Sequence, residues 1–167
     1  MVVFAAFTGA RRSEMLRALV SDVDVAGGTV TIREKERVVG KRSTRTAPLT
    51  PKLAAVMREW LSVRPESPFL FCPAEQVARS RTRRDGPTAV TKDEAHDHFN
   101  RTVSGSKWSS LRGYHVLRHS FISALVSEGV DQRVINEIVG RLSEEQRKRY
   151  RHLYPKVMKD AINRVFG

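Results

Sequence analysis

Two short runs of strict alternation, TVTIRE at residues 29–34 and TRTAPL at 44–49, sit in a chain whose other apolar residues recur at helical spacing. That pairing constrains the fold most tightly, because alternation puts successive side chains on opposite faces of a strand and lines no face of a helix. Two strands so close in sequence pair antiparallel, and the polar KERVVGKRS between them reads as a long basic hairpin tip. A third short strand is expected at SPFLF, residues 67–71. The expected fold class is mainly α with a small antiparallel β-sheet, α+β.

The helices announce themselves by their ends. VVFAAF reads as the last turns of a helix broken at TGA, and RSEMLRAL, apolar at positions 15, 16 and 19, as the start of the next; SDVDVAGG then turns the chain into the first strand. Thr50 before Pro51 is an N-cap followed by a first-turn proline, opening PKLAAVMREWLSV. TKDE at 91–94 and SEEQ at 143–146 are capping boxes, the first opening a helix of about a dozen residues. From Val116 the pattern is helical to the end, with Gly129 as a C-cap, Asp131 as an N-cap and Pro155 opening a last amphipathic helix. Residues 72–90, with RSRTRR at their centre, lack periodicity and read as a basic surface loop; residues 103–113 are also loop.

A chain of 167 residues is expected to form one domain, residues 1–167, burying roughly 70% of its extended surface. Cys72 is the single cysteine, so no internal disulfide exists, and no run approaches the roughly 20 apolar residues of a membrane span. A soluble, cytoplasmic protein is expected. The net charge of +12 and pI near 10.7 point to a polyanionic partner, with nucleic acid ahead of a membrane surface. A merely soluble basic protein is the plain alternative.

Chemistry enters through spacing. HVLR places His115 and Arg118 three residues apart on one helical face; Arg141 follows Arg118 by twenty-three positions, and Tyr150 follows Arg141 by nine. Arg11 stands at a loop-to-helix junction, and the basic hairpin carries Lys35 and Lys41. Bidentate guanidinium groups match a phosphodiester and stay ionised at every working pH. A tyrosine is a weak nucleophile because a pKa near 10 leaves only about one molecule in a thousand ionised at neutral pH. In RKRYRHLYP, at 147–155, the surrounding cations are expected to favour the phenolate.

These residues resemble the tyrosine recombinases, or phage integrases. TGARRSE is similar to that family's TGLR-x-SE box, and HVLRHSF to its H-x-x-R-H-[ST]-F box. VGR stands where LGH is usual, with a tyrosine nine residues later, and the likeness spans nearly the whole chain. The resemblance implies that Arg11, His115 and Arg118 bind the scissile phosphate of double-stranded DNA while Tyr150 attacks it, leaving a 3′-phosphotyrosyl enzyme and a free 5′-hydroxyl. It implies no metal and no nucleotide cofactor, since the covalent link conserves the energy of the broken bond. A hairpin lysine would protonate the leaving oxygen; Lys41, ahead of RSTRTAPL, fits that placement better than Lys35. Lys35, Arg42, Arg45, Arg147, Lys148 and Arg149 are the expected DNA-backbone contacts.

Two departures stand out. Arg141 replaces the usual histidine, implying a slowed rather than abolished enzyme. Family members usually carry an N-terminal helical domain that clamps the duplex, so this chain is expected to be the catalytic domain alone and to bind DNA weakly. A DNA-binding remnant and a type IB topoisomerase are the alternative readings; a homotetramer is expected only on DNA. The plainer roles are these: His119 structural or supporting; Tyr154 a decoy one turn beyond Tyr150; Glu14, Asp22 and Asp24 caps or partners of Arg11; Trp60, Phe69, Trp108 and Phe121 core. His96 and His98, two apart on a helix, do not make a metal site.

Overall fold

Cap chemistry sets the helix starts as the local sequence predicts. In the computed structural model, which describes residues 1–34, 43–73, 89–150 and 154–166 (backbone only for 154–156), the Thr50 side chain accepts a hydrogen bond from the Leu53 amide at 3.2 Å to open α3, Pro51–Val63. Thr91 and Glu94 cap α4, Lys92–Val103, reciprocally, and Ser143 and Gln146 do the same for α7, Glu144–Lys148. The Asp131 side chain caps α6, Gln132–Val139. The remaining helices are α1, Val2–Thr8; α2, Arg12–Met15; α5, His115–Ser127; and α8, Tyr154–Phe166.

The sheet has three antiparallel strands in the order β1, Val23–Asp24; β2, Thr29–Arg33; and β3, Thr44–Pro48. Val30 and Ile32 of β2 and Ala47 of β3 face inward, as alternation requires. The expected hairpin is therefore present at its base, Arg33 opposite Thr44. Its tip, residues 35–42, lies outside the described residues, as does most of the expected basic loop, residues 74–88.

Two expectations fail at one place. RSEMLRAL does not continue as a helix past α2, and SPFLF is not a strand of the sheet. The Leu19 amide is taken by the Asp22 carboxylate at 2.9 Å, Val20 donates to the Pro68 carbonyl, and Leu70 donates to the Ala18 carbonyl. The two segments satisfy each other's backbone through one bridge, Leu19 to Phe69, which removes residues 18–20 from helix and residues 68–70 from the sheet.

The larger core gathers α1, the sheet, α3 and α4 around Phe4, Met15, Leu53, Met57, Leu70 and Phe99. A second cluster joins α5 to α6 through Ile122, Val126, Ile135 and Val139, and takes in Tyr150. α1 lies between them, packed on both α3 and α5. Trp60 is half-buried, its indole donating to the Leu70 carbonyl at 2.8 Å, and Phe69 and Phe121 are half-buried too. Trp108, expected in the core, is 55% exposed, held instead beneath the Lys107 ammonium 5.1 Å from its ring centre. No helix among the described residues is long and apolar enough to cross a membrane.

Candidate active site: an arginine–histidine cleft

Arg11 reaches its position because Gly9 ends α1 with a left-handed turn, φ 61°. The chain then enters α2, whose Glu14 holds Arg11 twice: the Arg11 amide at 2.8 Å and its guanidinium Nη1 at 2.8 Å. Glu14 is 3% exposed and also accepts from Arg45 Nη2 at 2.7 Å and Nη1 at 3.1 Å. Burial works to raise the Glu14 pKa, but Arg45 and Arg11 outweigh it and leave it below its ordinary 4.5.

Arg45 is therefore not a surface contact for DNA. It points inward from β3, 9% exposed, pairs with Glu14 and Glu34, and donates from Nε to the Ile138 carbonyl at 2.7 Å. A residue in a basic hairpin looks solvent-facing until a buried carboxylate from another element claims it, and here Glu14 does.

Arg118, on α5, is 2% exposed and donates to the Gly9 carbonyl at 2.7 Å and the Val139 carbonyl at 2.9 Å. Those two bonds tie α5 to the end of α1 and the end of α6, so the guanidinium is placed by three elements at once. Burial and the Arg11 charge lower its pKa to about 10, which still leaves it ionised at neutral pH. His115, one turn earlier on α5, is exposed. Its pKa lies below 6.5 because of partial burial and the charges of Arg118, Arg11 and Arg149.

Arg11, His115 and Arg118 line one cleft of about 620 Å³. Arg12, Ser13, His96, Asn100 and Arg112 share its wall. Sequence reasoning missed Arg12 and Arg112 because the first fills the variable position of its motif and the second lies outside any motif. It set His96 aside as a poor metal ligand, and the structure gives it a different place, bonded to Asn100 at 3.0 Å on the cleft wall. His98 turns instead to the Tyr114 hydroxyl at 3.2 Å, so the two histidines diverge. Burial pushes Tyr114 up to about 12.

Tyr150 follows α7 and is 5% exposed, packed into the α5–α6 cluster. Its hydroxyl lies 2.7 Å from Nδ1 of His119, one turn beyond His115 on α5. The cations do favour the phenolate, as expected, but burial outweighs them. Burial raises its pKa above 10, and Arg118 and Arg149 offset that only in part. Among the described residues, Lys148 pairs with Glu144 at 3.7 Å and Arg149 with Glu145 at 3.1 Å, both exposed, and Arg147 is exposed. Arg141 is exposed in the α6–α7 connection and is not among the residues lining the cleft. Lys35, Lys41 and Arg42 lie outside the described residues, as does the Tyr154 side chain.

The chain is similar to known proteins in sequence and in fold. The Phage integrase family model matches residues 1–156. Tyrosine recombinase XerA of Pyrococcus furiosus is 27% identical over 95% of this chain and 51% of its own length. The type 1 fimbriae regulatory protein FimB of Escherichia coli K12 is 30% identical over 79% of this chain and 61% of its own. The Tn1549 transposon integrase, solved in complex with transposon right end DNA, superposes with a TM-score of 0.71 at 16% identity, over 99% of this chain and 58% of that one. The chain thus spans between half and two thirds of the length of these proteins. It belongs to the phage integrase family, the tyrosine recombinases.

Proposed function

We propose that this chain is the catalytic domain of a site-specific DNA recombinase or integrase, cutting and rejoining strands through a 3′-phosphotyrosyl intermediate. The observation that carries the reading is the convergence of Arg11, His115 and Arg118, from two segments more than a hundred positions apart, on one cleft. Attack on a phosphodiester adds charge to the phosphoryl oxygens, and preorganised guanidinium donors stabilise that charge in a partly desolvated site. Arg118 is held by carbonyls and Arg11 by a carboxylate, so neither needs to reorganise as the charge develops. Tyr150 supplies the nucleophile and Lys41 the proton for the leaving 5′-oxygen, with Lys35 as the other hairpin lysine. Arg147, Lys148, Arg149, Lys35 and Arg42 hold the DNA backbone, and Arg141 takes the position of the usual histidine. Residues 1–167 act as one domain in the cytoplasm, and four copies assemble only on DNA. The Tn1549 integrase, solved with DNA, supports double-stranded DNA as the partner.

A second reading, a DNA-binding remnant without cleavage, draws on the burial of Tyr150 and the exposure of Arg141. Negatively supercoiled plasmid, incubated at low salt and quenched with detergent, separates the two. Relaxation and a covalent adduct are expected from the wild type and from Arg141→His, the latter faster, and neither from Tyr150→Phe. Binding without adduct in the wild type would leave the remnant reading standing and remove the enzyme.

A further inference from the structure

The Tyr150–His119 contact, at 2.7 Å, joins residues thirty-one positions apart on two elements. Tyr150 is almost wholly buried, so without His119 its hydroxyl would be an unmet donor in an apolar cluster. His119 is half-buried on α5, and the His115 ring stands edge-on to it at 4.5 Å and 84°. Among the described residues, the titratable and charged groups near His119 are His115 and Arg118 on its own helix and Arg149 and Tyr150 from the segment after α7.

An imidazole so placed stays neutral near pH 7, because burial and then His115, Arg149 and Arg118 all lower its pKa below 6.5. A neutral ring has one lone pair to offer, and a phenol has one proton to donate. In the tautomer that carries its proton on Nε2, Nδ1 offers that lone pair to the hydroxyl, so that Tyr150 donates and His119 accepts.

We propose that His119 is a catalytic residue whose Nδ1 takes the Tyr150 proton as the phenolic oxygen attacks phosphorus, and returns it on religation. This rests on the strand-transfer reading above. In cleavage the Oη–P bond forms as the O–H bond breaks, and the proton passes to Nδ1 to give an imidazolium. The P–O5′ bond breaks with its electron pair on O5′, which takes a proton from the hairpin lysine. Religation reverses each transfer. The DNA supplies the trigger: a scissile phosphate at Arg118 brings negative charge toward the cations that keep His119 neutral, and so strengthens the base when substrate is present.

His119→Gln, compared with wild type and Tyr150→Phe, tests this by the rate of covalent adduct formation on supercoiled plasmid between about pH 5.5 and 9, the range in which a histidine base titrates. The wild-type rate is expected to rise through a histidine ionisation and level off. His119→Gln is expected to lose about 10²–10⁴-fold, with the histidine limb gone and DNA binding by anisotropy unchanged. A variant that forms adduct at the wild-type rate or faster, or that keeps the limb, would overturn the proposal and leave His119 as a restraint. Nitrogen-resolved imidazole spectra of the DNA-free protein give an independent readout that does not depend on how well the variant folds. Nδ1 of His119 is expected unprotonated, with a hydrogen-bond shift lost in Tyr150→Phe, and an Nδ1–H there would also overturn it. A wild-type chain that binds DNA but forms no adduct defeats the strand-transfer reading and this step with it, a pattern distinct from an active wild type indifferent to His119.

Discussion

A carboxylate as buried as Glu14 is costly unless its lone pairs are used, and Arg11 and Arg45 use them. Its neutralisation would leave Arg45 buried beside half a partner. Glu14→Gln is expected to destabilise the fold by about 3–5 kcal/mol, the range for breaking one side of a buried pair. The sign with pH follows from the depressed pKa. The contribution of Glu14 is complete above its ordinary 4.5 and is lost as pH falls through the lower folded value. Urea midpoints measured from neutral to acid pH should fall below about pH 4.5 in the wild type and flatten in Glu14→Gln; parallel curves would mean that Glu14 is not the group being titrated. At this scale the spacing of the motifs was legible, and so was the idea that Glu14 partners Arg11. That Arg45 completes the set was not, because its partner lies thirty-one positions away on another element.

At the scale of elements, the α1–α2 junction carries more than its length suggests. A Cβ built on Gly9 would come 2.7 Å from Cδ1 of Phe121 and 3.1 Å from Cγ1 of Val139, and the backbone there is left-handed. The Gly9 carbonyl is also an acceptor for Arg118. Backbone strain of about 1–2 kcal/mol and overpacking of about 1–3 kcal/mol give an expected loss of roughly 2–5 kcal/mol for Gly9→Ala. Chemical denaturation checks it, and a loss under about 0.5 kcal/mol would show that α1 and α5 part easily. The glycine itself was legible as a helix breaker. Its close approach to α5 was not, since that depends on where Phe121 packs.

The whole molecule carries a net charge of +12, and its acids are partly consumed internally by Arg11, Arg33 and Arg45. The exposed cations among the described residues include Arg12 and Arg112 on the cleft wall and Arg141, Arg147, Lys148 and Arg149 at and beyond the end of α6. The ion pairs of Lys148 and Arg149 with α7 glutamates are exposed and worth at most about 1 kcal/mol, so DNA can displace them. If about six phosphates are contacted, affinity should weaken by roughly a thousandfold between 50 and 200 mM salt. Fluorescence anisotropy with a labelled duplex measures this, and a salt-insensitive affinity would remove the electrostatic account of binding.

What the sequence by itself determined is what depends on neighbours in the chain. The caps at Thr50, Thr91, Asp131 and Ser143 close over two or three residues, and the alternation of β2 and β3 needs only its own period. The motif spacing that marks Arg11, His115, Arg118 and Tyr150 belongs to the same class. Only the tertiary structure decided that Arg45 turns inward, that Trp108 turns outward, that residues 18–20 and 68–70 pair with each other, and that Tyr150 is buried on His119. Each of those outcomes is a choice between water and a distant partner. Such a choice is settled by the free energy of desolvating a group against what awaits it, and that partner is brought close only when the chain has folded.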